Sequence, residues 1–245
     1  MDVAVIAHPR RKDRANRLAE ALRADAVCWD NNLKGAEFNH AQAWNYLKDS
    51  SADYALIVED DMVPTEDFID QARHALAHLP KTASIASFYL GRMRPPHWQP
   101  SIARALTTLP TADTCWLIGK PLLSATAYAM RPEHLGLLAQ VRTFRGDTRP
   151  VDERISAWMH RFKLKAAYSV PSIIEHADIE PVIAKRTDDD PRLPGRTAWR
   201  VGTRTDWNRR SHPLKSPEQL GIKVIKPNLT EKFKKQPKPR KKTHA

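Results

Sequence analysis

Tyr54-Ala55-Leu56-Ile57-Val58-Glu59-Asp60-Asp61-Met62-Val63-Pro64 is the stretch on which the fold of this chain turns. Its first five residues form an apolar run without polar alternation, which suits a strand covered on both faces in a sheet flanked by helices. Three adjacent carboxylates then stand where that strand ends. Carboxylates this close repel one another, and open α/β sheets take their ligands outside the carboxyl ends of their strands. Hard oxygen donors at that edge suit Mg²⁺ or Mn²⁺ holding a diphosphate. The competing reading is a solubilised strand end or a cap for the next helix. Thr65, with Glu66 and Asp67 behind it, already offers an N-cap and an acidic first turn, which leaves the triplet without that task.

On the amino-terminal side, Val3-Ala4-Val5-Ile6-Ala7 reads as the first central strand and His8-Pro9-Arg10-Arg11 as the loop after it. From Asp13 to Arg23, Ala15, Leu18, Ala19 and Leu22 share one helical face, so the chain opens as a βαβ unit. Ala26-Val27-Cys28-Trp29 is the next strand with Asp30 at its end, and a helix is expected from Glu37 to Lys48. Beyond the triplet, a helix from Thr65 to Leu79 buries Ile69, Ala72, Leu76 and Leu79, and Ala83 to Leu90 reads as a strand. Gly91 to Pro110, rich in Pro, Arg and Trp, reads as a mobile loop over a pocket. Thr114 to Gly119 and Ala125 to Met130 look like a pair of strands, and a short helix follows with Leu135, Leu138 and Val141. Pro150 opens a helix whose core face carries Ile155, Trp158, Met159 and Phe162. Ala166 to Pro171 is the expected last strand, and Ile173 to His176 the loop behind it. Alternating strands and helices place the chain in the α/β class.

The chain has 245 residues, and 41% hydrophobic content with seven Trp is enough for a core. No run approaches the about 18 apolar residues of a membrane span, and the amino terminus lacks the pattern of a signal peptide, so the expected location is cytoplasmic. Cys28 and Cys115 have no spacing that suggests zinc or a redox pair and read as reduced core residues. The net charge of +12, from 40 Lys plus Arg against 28 Asp plus Glu, is concentrated towards the carboxyl end. Residues 227–245 read as a disordered basic tail, which attracts polyanions without sequence preference or merely keeps the chain soluble. Between residues 186 and 226 the chain reads as an Arg- and Pro-rich extension wrapping the domain. Arg186, Arg192, Arg196, Arg200, Arg204, Arg209 and Arg210, with Trp199 and Trp207, face two readings there: phosphate or base contacts, or a solvated wrap.

Taken in order, the triplet after its strand, the segment Ser124 to Arg131, Val151-Asp152-Glu153 and Val170-Pro171-Ser172-Ile173-Ile174-Glu175-His176 resemble GT-A glycosyltransferases. The likeness is to the family 2 and family 25 types, including small bacteriophage enzymes, and covers residues 1–185. It implies a Rossmann-like mixed sheet flanked by helices, a nucleotide-sugar donor with UDP-sugar as the leading form, and Mn²⁺ or Mg²⁺. In that fold an Asp-x-Asp type motif holds the metal on the donor diphosphate. Glu59-Asp60-Asp61 matches it in place, with Asp61 the best candidate ligand, Glu59 a second, and Glu in the first position a departure from the common form. His176 resembles the histidine that completes the metal site, while a lone His is otherwise structural. His8, Arg10, Arg11 and Asp60 would lie near the nucleotide, and Asp30 resembles the acid on the base or ribose. Surface charge, for the arginines, and turn formation, for Asp30, are the alternatives.

Sugar transfer gathers negative charge on the leaving diphosphate, which a metal neutralises. An inverting reaction also needs a carboxylate to take the acceptor's proton; Asp152 is the first choice and Glu153 the second, against an ordinary helix cap. Trp98 and Trp116 are candidates for a sugar-stacking platform or for core, and Trp44 and Trp158 read as core. The expected activity is transfer of a sugar to a macromolecule. A polyanionic acceptor, such as a hydroxymethylated base in phage DNA, fits the charge; a phage structural protein or cell-surface glycan is the alternative. Two rival classes are a nucleic-acid-binding protein with a degenerate transferase domain and a metal-dependent nucleotidyl or phosphoryl transferase.

Overall fold

The computed structural model describes residues 1–110, 113–140, 149–182 and 195–223. Three apolar runs form parallel neighbours: β1 (Asp2–Ala7) lies between β2 (Ala26–Trp29) and β3 (Ala55–Glu59), with Val5 opposite both Val27 and Val58. Parallel neighbours require crossovers, supplied by α1 (Lys12–Leu22) and α2 (Ala36–Leu47). The sheet continues through β5 (Ile85–Ser87), β6 (Trp116–Gly119), β7 (Ala127–Met130), β8 (Ala166–Ser169) and β10 (Ser211–Pro213), in the order β10-β6-β8-β5-β7-β3-β1-β2. β7 runs antiparallel between β3 and β5, and β6 antiparallel to β8, so the eight-stranded sheet is mixed. A separate ribbon pairs β4 (Met62–Pro64) with β9 (Ile174–His176), and sets His176 opposite Met62, next to Asp61.

Alternation along β3 aims the acids. Ala55 and Ile57 join the core beneath α2, α4 (Gln99–Thr108), α5 (Pro132–Ala139) and α6 (Val151–Arg161). Leu56 and Val58 join the opposite core beneath α1 and α3 (Phe68–Ala77). Side chains on a strand alternate faces, so Glu59 continues the Ala55–Ile57 face towards α2 and α6. Leu56, Ile57 and Val58 are completely buried, which contributes about 1.5–3 kcal/mol each and offsets the cost of gathering three acids at one strand end. The fold class is thus α/β, a mixed sheet with helices on both faces.

Several expectations are corrected. α3 starts at Phe68 behind Asp67, which has φ 55° and makes no side-chain cap, while the Thr65 hydroxyl donates to Ile173 O at 2.7 Å and ties β4 to β9. Gly91 to Pro110 is no open loop: it contains α4, and Trp98, Ile102 and Leu106 are buried there. β6 and β7 do not pair with each other, because β8, β5 and β7 take the central places between β6 and β3. Ile174 to His176 is a strand, so Ala166–Ser169 is not the last one: β9 and β10 follow it in the chain, and it lies between β5 and β6 in the sheet. Phe162 falls at the end of α6 and is 49% exposed. Trp44 and Trp158 are core, as are the free thiols Cys28 and Cys115. Val141, Arg186, Arg192 and the tail at 227–245 lie outside the described residues. Among the described residues no helix is long and apolar enough to cross a membrane.

Candidate active site

Glu59 is held by a buried chain of hydrogen bonds that starts in α2. His40 Nε2 lies 3.0 Å from Glu59 Oε1, and since a carboxylate only accepts, Nε2 carries the proton. In the neutral ring Nδ1 then accepts from the Tyr128 hydroxyl at 3.1 Å, and the Tyr128 oxygen accepts from Trp44 Nε1 at 2.8 Å. Burial pushes the Tyr128 hydroxyl well above its ordinary range, which keeps it a donor. Glu59 itself keeps 25% of its side chain exposed.

Asp60 and Asp61 share one cation. Arg11 Nη1 lies 2.8 Å from Asp60 Oδ1 and 2.9 Å from Asp61 Oδ2, while Arg11 Nη2 donates to Glu180 O at 2.7 Å. Asp60 Oδ2 accepts from the His8 amide at 2.7 Å, and Arg14 Nε donates to Asp60 O at 2.9 Å. Asp60 therefore locks the turn Pro9–Arg11 onto the end of β3. The His8 side chain caps that turn, its Nδ1 accepting from the Arg10 amide at 3.2 Å, and Arg10 is exposed. Asp61 Oδ2 also faces His176 Nε2 at 3.4 Å. Burial opposes its charge, but the His176 and Arg11 contacts outweigh it and hold the Asp61 carboxyl well below the usual carboxylate range. Asp61 is 7% exposed and its Oδ1 is buried without a hydrogen-bond partner.

Asp152 lies in the first turn of α6, partly buried, with exposed Glu153 beside it. Burial, with the negative charges of Glu153 and Glu59, pushes the Asp152 carboxyl up to about 6. Glu59 is the lesser of the two charges in that rise, after burial and Glu153. Asp30 is buried and its two oxygens accept from the Lys34 and Gly35 amides at 2.8 Å each, closing the turn before α2 in which Gly35 has φ 96°. That is turn formation. A positive φ of this size suits glycine there.

Asp61 passes a chemical test for Mg²⁺ or Mn²⁺: it is anionic, buried and leaves one oxygen unpartnered. Such ions on phosphate substrates take one or two carboxylates and fill their remaining positions from phosphate and water. Glu59 keeps part of its side chain exposed, but its Oε1 is taken by His40. His176 fits less well, because its Nδ1 accepts from the Asp178 amide at 2.8 Å, which puts the ring proton on Nε2 towards Asp61. Among the described residues no group of three His, Cys, Asp or Glu side chains is arranged to hold a metal.

Trp98 and Trp116 are buried, and Trp116 packs on Trp207 with ring centroids 5.4 Å apart, so neither forms a stacking platform. Among the described arginines of the extension, Arg204 is buried and Arg196 half-buried, while Arg200, Arg209 and Arg210 are exposed. Arg204 Nη1 donates to Thr114 O at 2.7 Å and Val170 O at 3.0 Å, and its Nε meets Asp206 at 2.9 Å. Arg200 donates to Leu106 O, Arg196 to Ile179 O, and Arg210 pairs with Asp113. Arg209 lines a cavity of about 580 Å³ with Lys81, Arg131 and His134. That cavity lies near Tyr54 and Ser84, at the amino ends of β3 and β5, away from the triplet. Sequence reasoning missed His40, Arg14 and Asp178. For His40 a signal existed: Asn39, His40, Ala43, Trp44 and Leu47 form one buried helical face, on which a histidine needs a partner. No protein-family model matches this chain, and no curated protein matches it either.

Proposed function

We propose that this chain is a glycosyltransferase of GT-A type, moving a sugar from a nucleotide-diphosphate donor, with UDP-sugar the leading form, to a macromolecular acceptor. One observation carries the reading: Asp61, buried with an unpartnered oxygen, stands in a triplet of acids at the carboxyl end of β3. Asp61, with Glu59, would hold Mg²⁺ or Mn²⁺, which neutralises charge gathering on the leaving diphosphate. Asp152, raised to about 6, is mostly ionised at neutral pH and is basic enough to take the proton of an acceptor hydroxyl. Glu153, exposed beside it, is the second candidate for that role. The hydrogen bond from His40 fixes Glu59 in direction.

The acceptor is proposed from charge alone. A net charge of +12 favours a polyanion, and a hydroxymethylated base in phage DNA is the concrete form. Such a base would leave the stack before its hydroxyl reached the donor. Arg204 is buried in the fold and withdrawn from such an acceptor, whereas Arg200, Arg209 and Arg210 are exposed on the extension. Binding to duplex DNA should weaken steeply with added salt; salt-independent binding would remove the DNA form of the proposal.

The test is a panel of nucleotide sugars with Mn²⁺, read by thermal shift and by product. One donor should raise the melting temperature and release its nucleoside diphosphate. Pyrophosphate as the product would instead indicate nucleotidyl transfer, and a panel without any shift or turnover would favour a binding protein with a degenerate transferase domain.

A further inference from the structure

The contacts of Arg11 bear on how the acidic site is kept before a substrate arrives. Its guanidinium spans Asp60 Oδ1 and Asp61 Oδ2, is anchored on Glu180 O, and has a side chain only 9% exposed. A divalent ion on Asp61 would make the same demand on the same carboxylate. Two cations sharing it at partly buried positions repel each other strongly, since little water screens them. We infer that Arg11 and a divalent cation are alternative partners of Asp61, so that Arg11 closes the site to free metal until a diphosphate-bearing donor draws the guanidinium away.

The inference rests on the donor class proposed above and adds an order to it: metal and donor enter together. Arginine suits the exchange, because its planar fork matches phosphate oxygens as well as it matches carboxylates. The turn that carries it is short, with Pro9 and Arg10 exposed, and is tied back by the His8 amide to Asp60. His176 Nε2 would still meet Asp61 Oδ2 after Arg11 left, so Asp61 would keep a fixed carboxylate with which to hold the ion.

The experiment is Mn²⁺ binding to the full chain without nucleotide, followed by the paramagnetic resonance signal of the free ion. Wild type, Arg11→Gln and the double variant Arg11→Gln with Asp61→Asn are compared. Arg11→Gln should bind Mn²⁺ more tightly than wild type by about tenfold, a typical coupling between competing ligands, and Asp61→Asn should remove the gain. Mn²⁺ should also raise the melting temperature of Arg11→Gln and leave that of wild type nearly unchanged. If Arg11→Gln does not fold, Arg11→Lys keeps a charge but cannot span both carboxylates, and a smaller gain is expected from it. Equal affinity in wild type and the Arg11 variant, lost on Asp61→Asn, overturns the inference and leaves the metal site standing. No Mn²⁺ binding in any variant overturns both.

Discussion

Glu59–Asp61 is a run of three acids and Arg196–Arg210 a stretch rich in arginine, and the fold uses Asp61 and Arg204 in opposite ways. Glu59 is held by His40 while Asp60 and Asp61 share Arg11, yet a valence is left over: Asp61 Oδ1 is buried and unpartnered, and Glu59 is partly open. In the extension, Arg204 is consumed by main-chain carbonyls and by Asp206, clamping β6 and the end of β8 from outside the sheet. Charge density alone therefore does not mark a site. The informative quantity is the hydrogen-bonding capacity that remains after the fold has taken its share.

Substitutions in the two stretches should separate activity from stability. Asp61→Ala should lower diphosphate release by about a thousandfold while the chain still folds, measured as turnover per folded molecule. Arg204→Ala should do the reverse, because it strands the Thr114 and Val170 carbonyls. A loss of about 3 kcal/mol in urea unfolding with unchanged turnover is expected. A loss of turnover equal to that of Asp61→Ala would erase the distinction between the stretches.

Asp152→Asn should affect both quantities and reveal its sign through pH. Burial raises this carboxyl to about 6 in the folded state, above its unfolded value near 4. Its contribution to stability is full below the unfolded pKa and lost as pH rises through about 6. The Asn variant should therefore be more stable than wild type by about 2 kcal/mol at pH 8, with the gain vanishing near pH 4, and should lose transfer. A gain that persists at pH 4 would contradict the raised carboxyl. The smallest effect is expected at Arg10, exposed beside the site, where Arg10→Ala should change stability by less than about 0.5 kcal/mol.

The strands were legible where burial on both faces leaves a continuous apolar run, as in β1 and β3. α4 was not, because Pro95, Pro96 and Pro100 suggest broken structure although Pro96 and Pro100 fall in first turns, where proline is tolerated. The acids of the site were legible as residue types at a strand end. Their partners were not, since Arg11 reaches Asp61 across 50 residues and His40 reaches Glu59 from a helix whose apolar face conceals it. The inward turn of Arg204 was equally hidden, because the carbonyls it bonds belong to distant strand ends.

The most direct measurement is the product released from a nucleotide sugar in Mn²⁺ by equally folded wild type and Asp61→Asn. A metal-assisted glycosyltransferase gives nucleoside diphosphate from wild type and almost none from the variant. Nucleoside diphosphate released equally by both proteins would contradict the role assigned to Asp61 at the end of β3.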